Sequence, residues 1–279
     1  MRRQLMRGAL PVLAALALLA AGCSSGSGGS GSSASGTSTL DKIEKDKVLR
    51  VGMTLQFKPE MYLDANKKPA GYDVELVNML AKDLGAKLEI SNLDFDGLIP
   101  GLLAGKFDMI SVGLVGRPPR LLQMYFTDSY VPYEQVLAVQ ANDTRPATID
   151  AYNAPDVTLT ALQGATAADQ VKTSFPKAKL KEFPQQDPAF LEVASGRATG
   201  IVVEKYLADG FIKANPGKLK IVDLPAPLNI EFGSWAIPKG DNEFLTYLNS
   251  WLRYYKNNGT MDNLYNTIFG ATGPVWQRQ

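Results

Sequence analysis

Hydrophobic and polar positions along this chain follow two alternating periods, and each period predicts its own kind of element. Val48 to Met53 alternates and is β-rich, which predicts a strand. Val74 to Leu84 places Val77, Leu80, Ala81 and Leu84 on one helical face, with Asp73 as N-cap and Gly85 just past the end. A short helix from Gly97 to Ala104, capped by Asp96 and tolerating Pro100 in its first turn, leads into a strand from Asp108 to Val115. A second series follows: strand Val157 to Leu162, a helix from Thr166, a helix Pro188 to Ser195 between Asp187 and Gly196, and strand Gly200 to Val203. Near the end, Leu245, Leu248, Leu252 and Tyr255 share one helical face before Asn257-Asn258-Gly259 stops it. Strands alternating with helices predict an α/β protein whose parallel sheets are covered on their faces.

The first 39 residues break both periods. Arg2, Arg3 and Arg7 precede an apolar run from Ala9 to Ala21 that is too short to span a bilayer, and Ala20-Ala21-Gly22 supplies small residues before a cut. Residues 1–22 therefore read as a signal peptide. Cys23, the only cysteine in the chain, stands at the first position after that cut. This arrangement resembles a bacterial lipoprotein signal, in which the thiol is acylated and becomes a membrane anchor; the other reading is an ordinary secretory signal ending beside a cysteine. A free thiol in an oxidising compartment is a liability, which favours the lipid. The sixteen residues from 24 to 39 are only Ser, Gly, Thr, Ala and a final Ser-Thr pair, and as a flexible coil they reach roughly 20 to 25 Å. Together 23–39 form a lipid-anchored linker that serves as spacer.

Composition narrows the chemistry. The body from residue 40 onward suits one large domain or two lobes of about 100 to 120 residues each, and it contains no second long apolar run. Once the leader arginines are removed, 26 basic residues face 28 acidic ones, so nothing calls for nucleic acid. With no histidine and one committed cysteine, zinc, copper and haem sites lose their usual ligands, and no stretch has the spacing of a calcium loop. No metal or cofactor is assigned, and a histidine-based nucleophile mechanism is excluded.

An ordered set of motifs carries a family resemblance over essentially the whole body. Gly71-Tyr72-Asp73-Val74-Glu75-Leu76, then Asp96-Gly97-Leu98-Ile99-Pro100 with Gly105-Lys106-Phe107-Asp108, then Phe126-Thr127-Asp128-Ser129-Tyr130 occur in order. Gly196-Arg197, Lys239-Gly240-Asp241, Asn258-Gly259-Thr260 and Ile268-Phe269-Gly270 continue the series. The chain resembles the family 3 solute-binding proteins, the polar amino-acid receptors of ABC importers. The resemblance implies a type II periplasmic-binding-protein-like fold: two parallel or mixed sheets with flanking helices, joined by two hinge crossings. Lobe 1 would comprise residues 40–131 and 232–279, and lobe 2 residues 132–231. It also implies a monomer held outside the cytoplasmic membrane by its lipid, with a small ligand and a membrane permease as partners.

In open α/β sheets ligands bind beyond the carboxyl ends of strands, and four segments satisfy this: Thr54 to Phe57, Val115 to Arg120, Gly164 to Thr166, and Glu204. By resemblance, Arg120 grips a ligand carboxylate, as a planar fork suits a planar anion. The helix start at Thr166 adds backbone N–H groups and a dipole for the same carboxylate. Glu204 takes the α-ammonium group, and Phe57 and Phe95 sandwich the ligand side chain. Gly113 and Val115 close the strand end; Val115 stands where many relatives carry a hydroxyl. Thr54 occupies the position that is aspartate in receptors for basic side chains, which argues against such ligands. Cyclohexadienyl dehydratases resemble the same family, and in that reading Glu204 is a general acid.

Overall fold

The computed structural model describes residues 38–273, 275 and 276. The expected signal peptide, Cys23 and the linker through residue 37 lie outside the described residues. Ser38 and Thr39, assigned above to the linker, belong to the folded body. The Ser38 hydroxyl accepts the Asp41 N–H and the Asp41 carboxylate accepts the Ser38 N–H, both at 3.2 Å, a capping box that starts α1 (Thr39–Asp46). The Thr39 N–H donates to Asp241 Oδ2 at 2.8 Å. Hydroxyl residues that read as coil are also the best helix caps, which is why composition alone misplaced the boundary.

The first half of the body contains β1 (Val48–Met53), β2 (Gln56–Phe57), β3 (Met61–Leu63), β4 (Pro69–Ala70), α2 (Tyr72–Asp83), β5 (Lys87–Asn92), α3 (Phe95–Leu103), β6 (Met109–Val115), α4 (Pro118–Leu121) and β7 (Met124–Phe126). The long strand β8 (Val131–Gln140) leads out of it. The second half contains α5 (Ile149–Tyr152), β9 (Thr158–Leu162), α6 (Thr166–Ser174), β10 (Lys179–Phe183), α7 (Gln186–Ala194), β11 (Gly200–Glu204), α8 (Lys205–Ala214) and β12 (Leu219–Ile221). Strand β13 (Asn229–Pro238) then returns to α9 (Asn242–Asn257) and α10 (Thr260–Phe269).

Within each half the strands linked through helices run parallel: β1 with β5 and β6, and β9 with β10 and β11. The expected crossings at 131–132 and 231–232 fall inside β8 and β13. Those two strands pair antiparallel with each other from Asn229↔Gln135 to Gly233↔Val131. As a result, the two sheets expected from the sequence are one hydrogen-bonded sheet of ten strands, eight of them ordered β10-β9-β11-β8-β13-β6-β1-β5 with β12 paired to β8 and β7 to β13, beside a small sheet β2-β3-β4. The body accordingly forms a single contact unit. Leu49, Val51, Ile110 and Trp235 are fully buried in a core that continues into the second half through Phe190, Ile201 and Val203, while Leu137, Leu159, Phe175 and Val202 build a separate cluster there. No described helix is long and apolar enough to cross a membrane.

Three helix starts differ from expectation, that of α7 lying at Gln186 with Gln185 rather than Asp187 at the N-cap. Helix α2 begins at Tyr72 with Gly71 at its N-cap, and Asp73 lies inside the first turn. Asp73 is fully buried, its Oδ2 accepting the Tyr130 hydroxyl at 2.5 Å and the Ser111 hydroxyl at 2.8 Å. Helix α3 begins at Phe95 with Asp94 at the N-cap, two residues before the expected Asp96. Pro100 therefore lies beyond the first turn, where its missing N–H leaves the Asp96 carbonyl without an intrahelical donor, and the helix ends at Leu103.

Candidate functional site

One cavity lies where the carboxyl ends of strands from both halves meet. Seven of the residues expected from sequence line it: Phe57, Phe95, Gly113, Val115 and Arg120 from the first half, and Thr166 and Glu204 from the second. Phe57 ends β2 and Phe95 opens α3, with ring centroids 6.4 Å apart and tilted by 50°. Gly113 sits in β6 with φ of +55°, and its N–H donates to the Tyr130 hydroxyl at 2.6 Å. A Cβ here would stand 1.5 Å from the Tyr133 hydroxyl, so only glycine allows that tyrosine to approach the cavity.

Thr54 is the exception. It is 1% exposed, its hydroxyl accepts from the Gln56 side chain at 2.9 Å, and it does not line the cavity. The carboxylate at this end of the cavity is Glu60, in the turn between β2 and β3, also 1% exposed. The Tyr133 hydroxyl donates to Glu60 Oε1 and the Tyr206 hydroxyl to Oε2, the latter at 2.5 Å.

Arg120 is 4% exposed and is held by carbonyls: Nη1 donates to Val115 at 2.9 Å, and Nη2 reaches across the cleft to Gly164 at 2.7 Å. Its Nε is buried without a partner, and its guanidinium carbon lies 5.9 Å from the centre of the Phe95 ring. Burial and the neighbouring Arg117 charge lower its pKa to about 10, which leaves it cationic at neutral pH. Beside it, Arg117 pairs with Asp169 of α6, a second contact between the halves. Gln56 and Gln186 make a third, N–H to side-chain oxygen, at 3.0 Å.

The second half supplies Thr166 and Glu204. The Thr166 hydroxyl is committed within the protein, donating to Glu231 Oε2 at 2.5 Å and accepting from Gln135 at 2.9 Å, while Thr166 opens α6 as expected. Glu204 closes β11 and caps α8 through position alone, without a side-chain capping bond. Burial pushes its carboxyl to about 7, and the nearby Glu231 charge adds to the effect. Burial and the charge of Asp73 drive Glu60 well above the usual carboxylate range, with the two tyrosine hydroxyls opposing. Asp73, behind the cavity, is raised by its burial to about 7.

Five polar residues around the cavity escaped the sequence reading. Tyr133 and Gln135 had a signal, since Val131 to Gln135 alternates buried and less buried positions along β8 and puts both on its inward side. Glu231 follows the same logic on the partner strand β13. Tyr206 and Glu60 had none: one opens a helix, and the other sits in a turn beside Pro59, where glutamate is an ordinary surface residue.

This geometry defines a two-lobed α/β protein that can enclose a small molecule between a cation and carboxylates. The description of bacterial extracellular solute-binding proteins, family 3, matches residues 49–271, and the chain belongs to that family. It is 27% identical over 229 residues to a probable histidine-binding protein of Neisseria gonorrhoeae, covering 81% of this chain and 85% of that protein. It is 26% identical over 223 residues to the cyclohexadienyl dehydratase of Pseudomonas aeruginosa, covering 80% and 82% respectively. Among solved structures, an ancestral amino acid-binding protein, a precursor of cyclohexadienyl dehydratase, is 36% identical with a TM-score of 0.76, covering 83% of this chain and 99% of that one.

Proposed function

We propose that this protein is an extracytoplasmic receptor, tethered by lipid on Cys23, that captures an amino acid or a related small compound and delivers it to the permease of an ABC importer. The observation that carries the reading is the convergence of Arg120 from one half and Glu204 from the other on a single cavity, floored by Phe57 and Phe95. A zwitterion presents the matching pair of charges. In the proposed cycle the ligand docks first on Arg120 and the aromatic pair, and closure of the second half then brings up Glu204 and the start of α6. The bonds from Arg120 to Gly164 and from Arg117 to Asp169 are contacts that closure makes. The protein is proposed to act as a monomer, with no metal, cofactor or chemistry of its own.

A thermal-shift panel of free amino acids and related small acids tests the reading. At 100 times its dissociation constant a ligand adds about 2.7 kcal/mol, several degrees in a chain of this size. If no member of the panel raises the melting temperature, the receptor reading fails. A second reading is favoured by Glu204, whose carboxyl at about 7 can hold a proton in a cleft at neutral pH: a dehydratase with Glu204 as general acid. Consumption of prephenate or arogenate, abolished in Glu204→Gln, would establish it in place of the first.

A further inference from the structure

We propose that Glu60 is the specificity-determining residue of this cleft, receiving the second positive charge of an amino acid whose side chain ends in a cation. The proposal rests on the receptor reading and narrows it to a ligand class. Glu60 lines the same cavity as Arg120 and Glu204, so the cavity offers two carboxyls and one guanidinium. A neutral amino acid uses one carboxyl and the guanidinium, which leaves a carboxyl that is 1% exposed facing the ligand without a counter-charge. A buried carboxyl with no cation beside it favours its protonated form, whereas a ligand carrying one negative and two positive groups lets it ionise and pairs all three groups.

The surroundings of Glu60 point the same way. Both tyrosines bond to it, one to each oxygen, so that its ionised form accepts two fixed hydrogen bonds. Two donors leave about two of its four lone-pair sites for a ligand. The charged groups acting on it are Asp73 and Glu204, both acids, and no described lysine or arginine forms an ion pair with it. With no internal cation, the proton is the only partner the protein itself supplies, which is why burial drives the carboxyl upward. Tyr133 and Tyr206 also stack at 6.1 Å and 24°, fixing both hydroxyls and therefore the carboxyl between them. Phe57, three residues before Glu60 and paired with Phe95, gives the methylene chain of such a ligand apolar faces to lie on.

Isothermal titration of the mature protein with L-arginine, L-lysine, L-glutamine, L-glutamate and agmatine at pH 8 tests this. Arginine or lysine is expected to bind at least tenfold more tightly than glutamine. In Glu60→Gln that preference should fall to less than threefold while glutamine affinity holds within threefold, which also reports that the variant is folded. If Glu60→Gln fails to melt cooperatively, Tyr206→Phe, lacking one donor, should weaken arginine several-fold and leave glutamine unchanged; equal losses for both overturn the assignment. Glutamine or glutamate binding as tightly as arginine to the unmodified protein also overturns it, as does an unchanged preference in Glu60→Gln. Agmatine carries the guanidinium without the α-carboxylate. Agmatine binding as tightly as arginine, with Glu60→Gln weakening both, keeps the role of Glu60 and removes the amino-acid reading, and no heat from any compound overturns both.

Discussion

Gly113→Ala perturbs the wall of the cleft without removing any of its charges. With φ at +55°, the position is left-handed, which costs an alanine about 1–2 kcal/mol. The new Cβ would stand 1.5 Å from the Tyr133 hydroxyl and 2.5 Å from its ring carbon, and both must move. Forcing a buried ring aside costs about 1–3 kcal/mol. Pulling the hydroxyl from the Glu60 carboxylate adds about 1.5–3 kcal/mol. The sum is about 4–8 kcal/mol, a fall of roughly 8 to 30 °C at 2–4 °C per kcal/mol in a chain this size. Gly85→Ala is the control: its φ is +61°, yet nothing lies within 4 Å of its Cβ. It should lose only the backbone share, about 1–2 kcal/mol. Thermal melts by circular dichroism read both variants directly. Equal losses would refute the close approach of Tyr133 to Gly113 as a constraint on the cleft, and the packing described around Glu60 would have to be abandoned.

Other outcomes follow from the same geometry. Arg120→Ala should weaken amino-acid binding about 30-fold or more, the scale of about 2–5 kcal/mol for truncating one partner of a buried charged pair, and titration with the panel's best ligand would show it. Glu204 is raised in the folded state from 4.5 to about 7, so its ionised form opposes folding: the penalty is absent below about pH 4.5 and complete above about pH 7. Glu204→Gln should therefore stabilise the ligand-free protein at pH 8 but not at pH 4.5, as read by melts across pH. Removing the partly exposed Arg117–Asp169 pair with Asp169→Ala should shift the halves apart by at most about 1 kcal/mol; small-angle scattering would record a larger radius of gyration without ligand and the original value with it. Cys23→Ala should abolish incorporation of labelled palmitate and move the protein from the membrane fraction to the soluble one.

Most of the scaffold was legible because its signals are local. Period-two strands such as Val48–Met53 and the helical face of Val77, Leu80 and Ala81 carry their burial in the order of residues, and the strand-end rule placed five cavity-lining residues, Phe57, Val115, Arg120, Thr166 and Glu204, from four separate segments. What escaped depends on partners distant in sequence. Asp73 reads as a cap because aspartate before an apolar run usually is one; only Tyr130 and Ser111, 57 and 38 residues away, make it a buried acceptor. Glu60 gains meaning from Tyr133 and Tyr206, 73 and 146 residues on. The single sheet was hidden for the same reason, since whether two crossings merely pass or also pair is decided by register between strands about a hundred residues apart.

That pairing gives the cleft its mechanics. A crossing made of two separate coils would let the halves swivel, slide and splay independently. Here the Asn229↔Gln135 to Gly233↔Val131 ladder ties both crossings into one ribbon, which resists sliding because every shift in register breaks bonds, and which yields chiefly to bending and twist. The ribbon also carries Tyr133, Gln135 and Glu231, the residues that hold Glu60 and Thr166. Joint and cavity wall therefore share the same two strands, so a change in the hydrogen bonds at the bottom of the cleft is a change at the crossing itself.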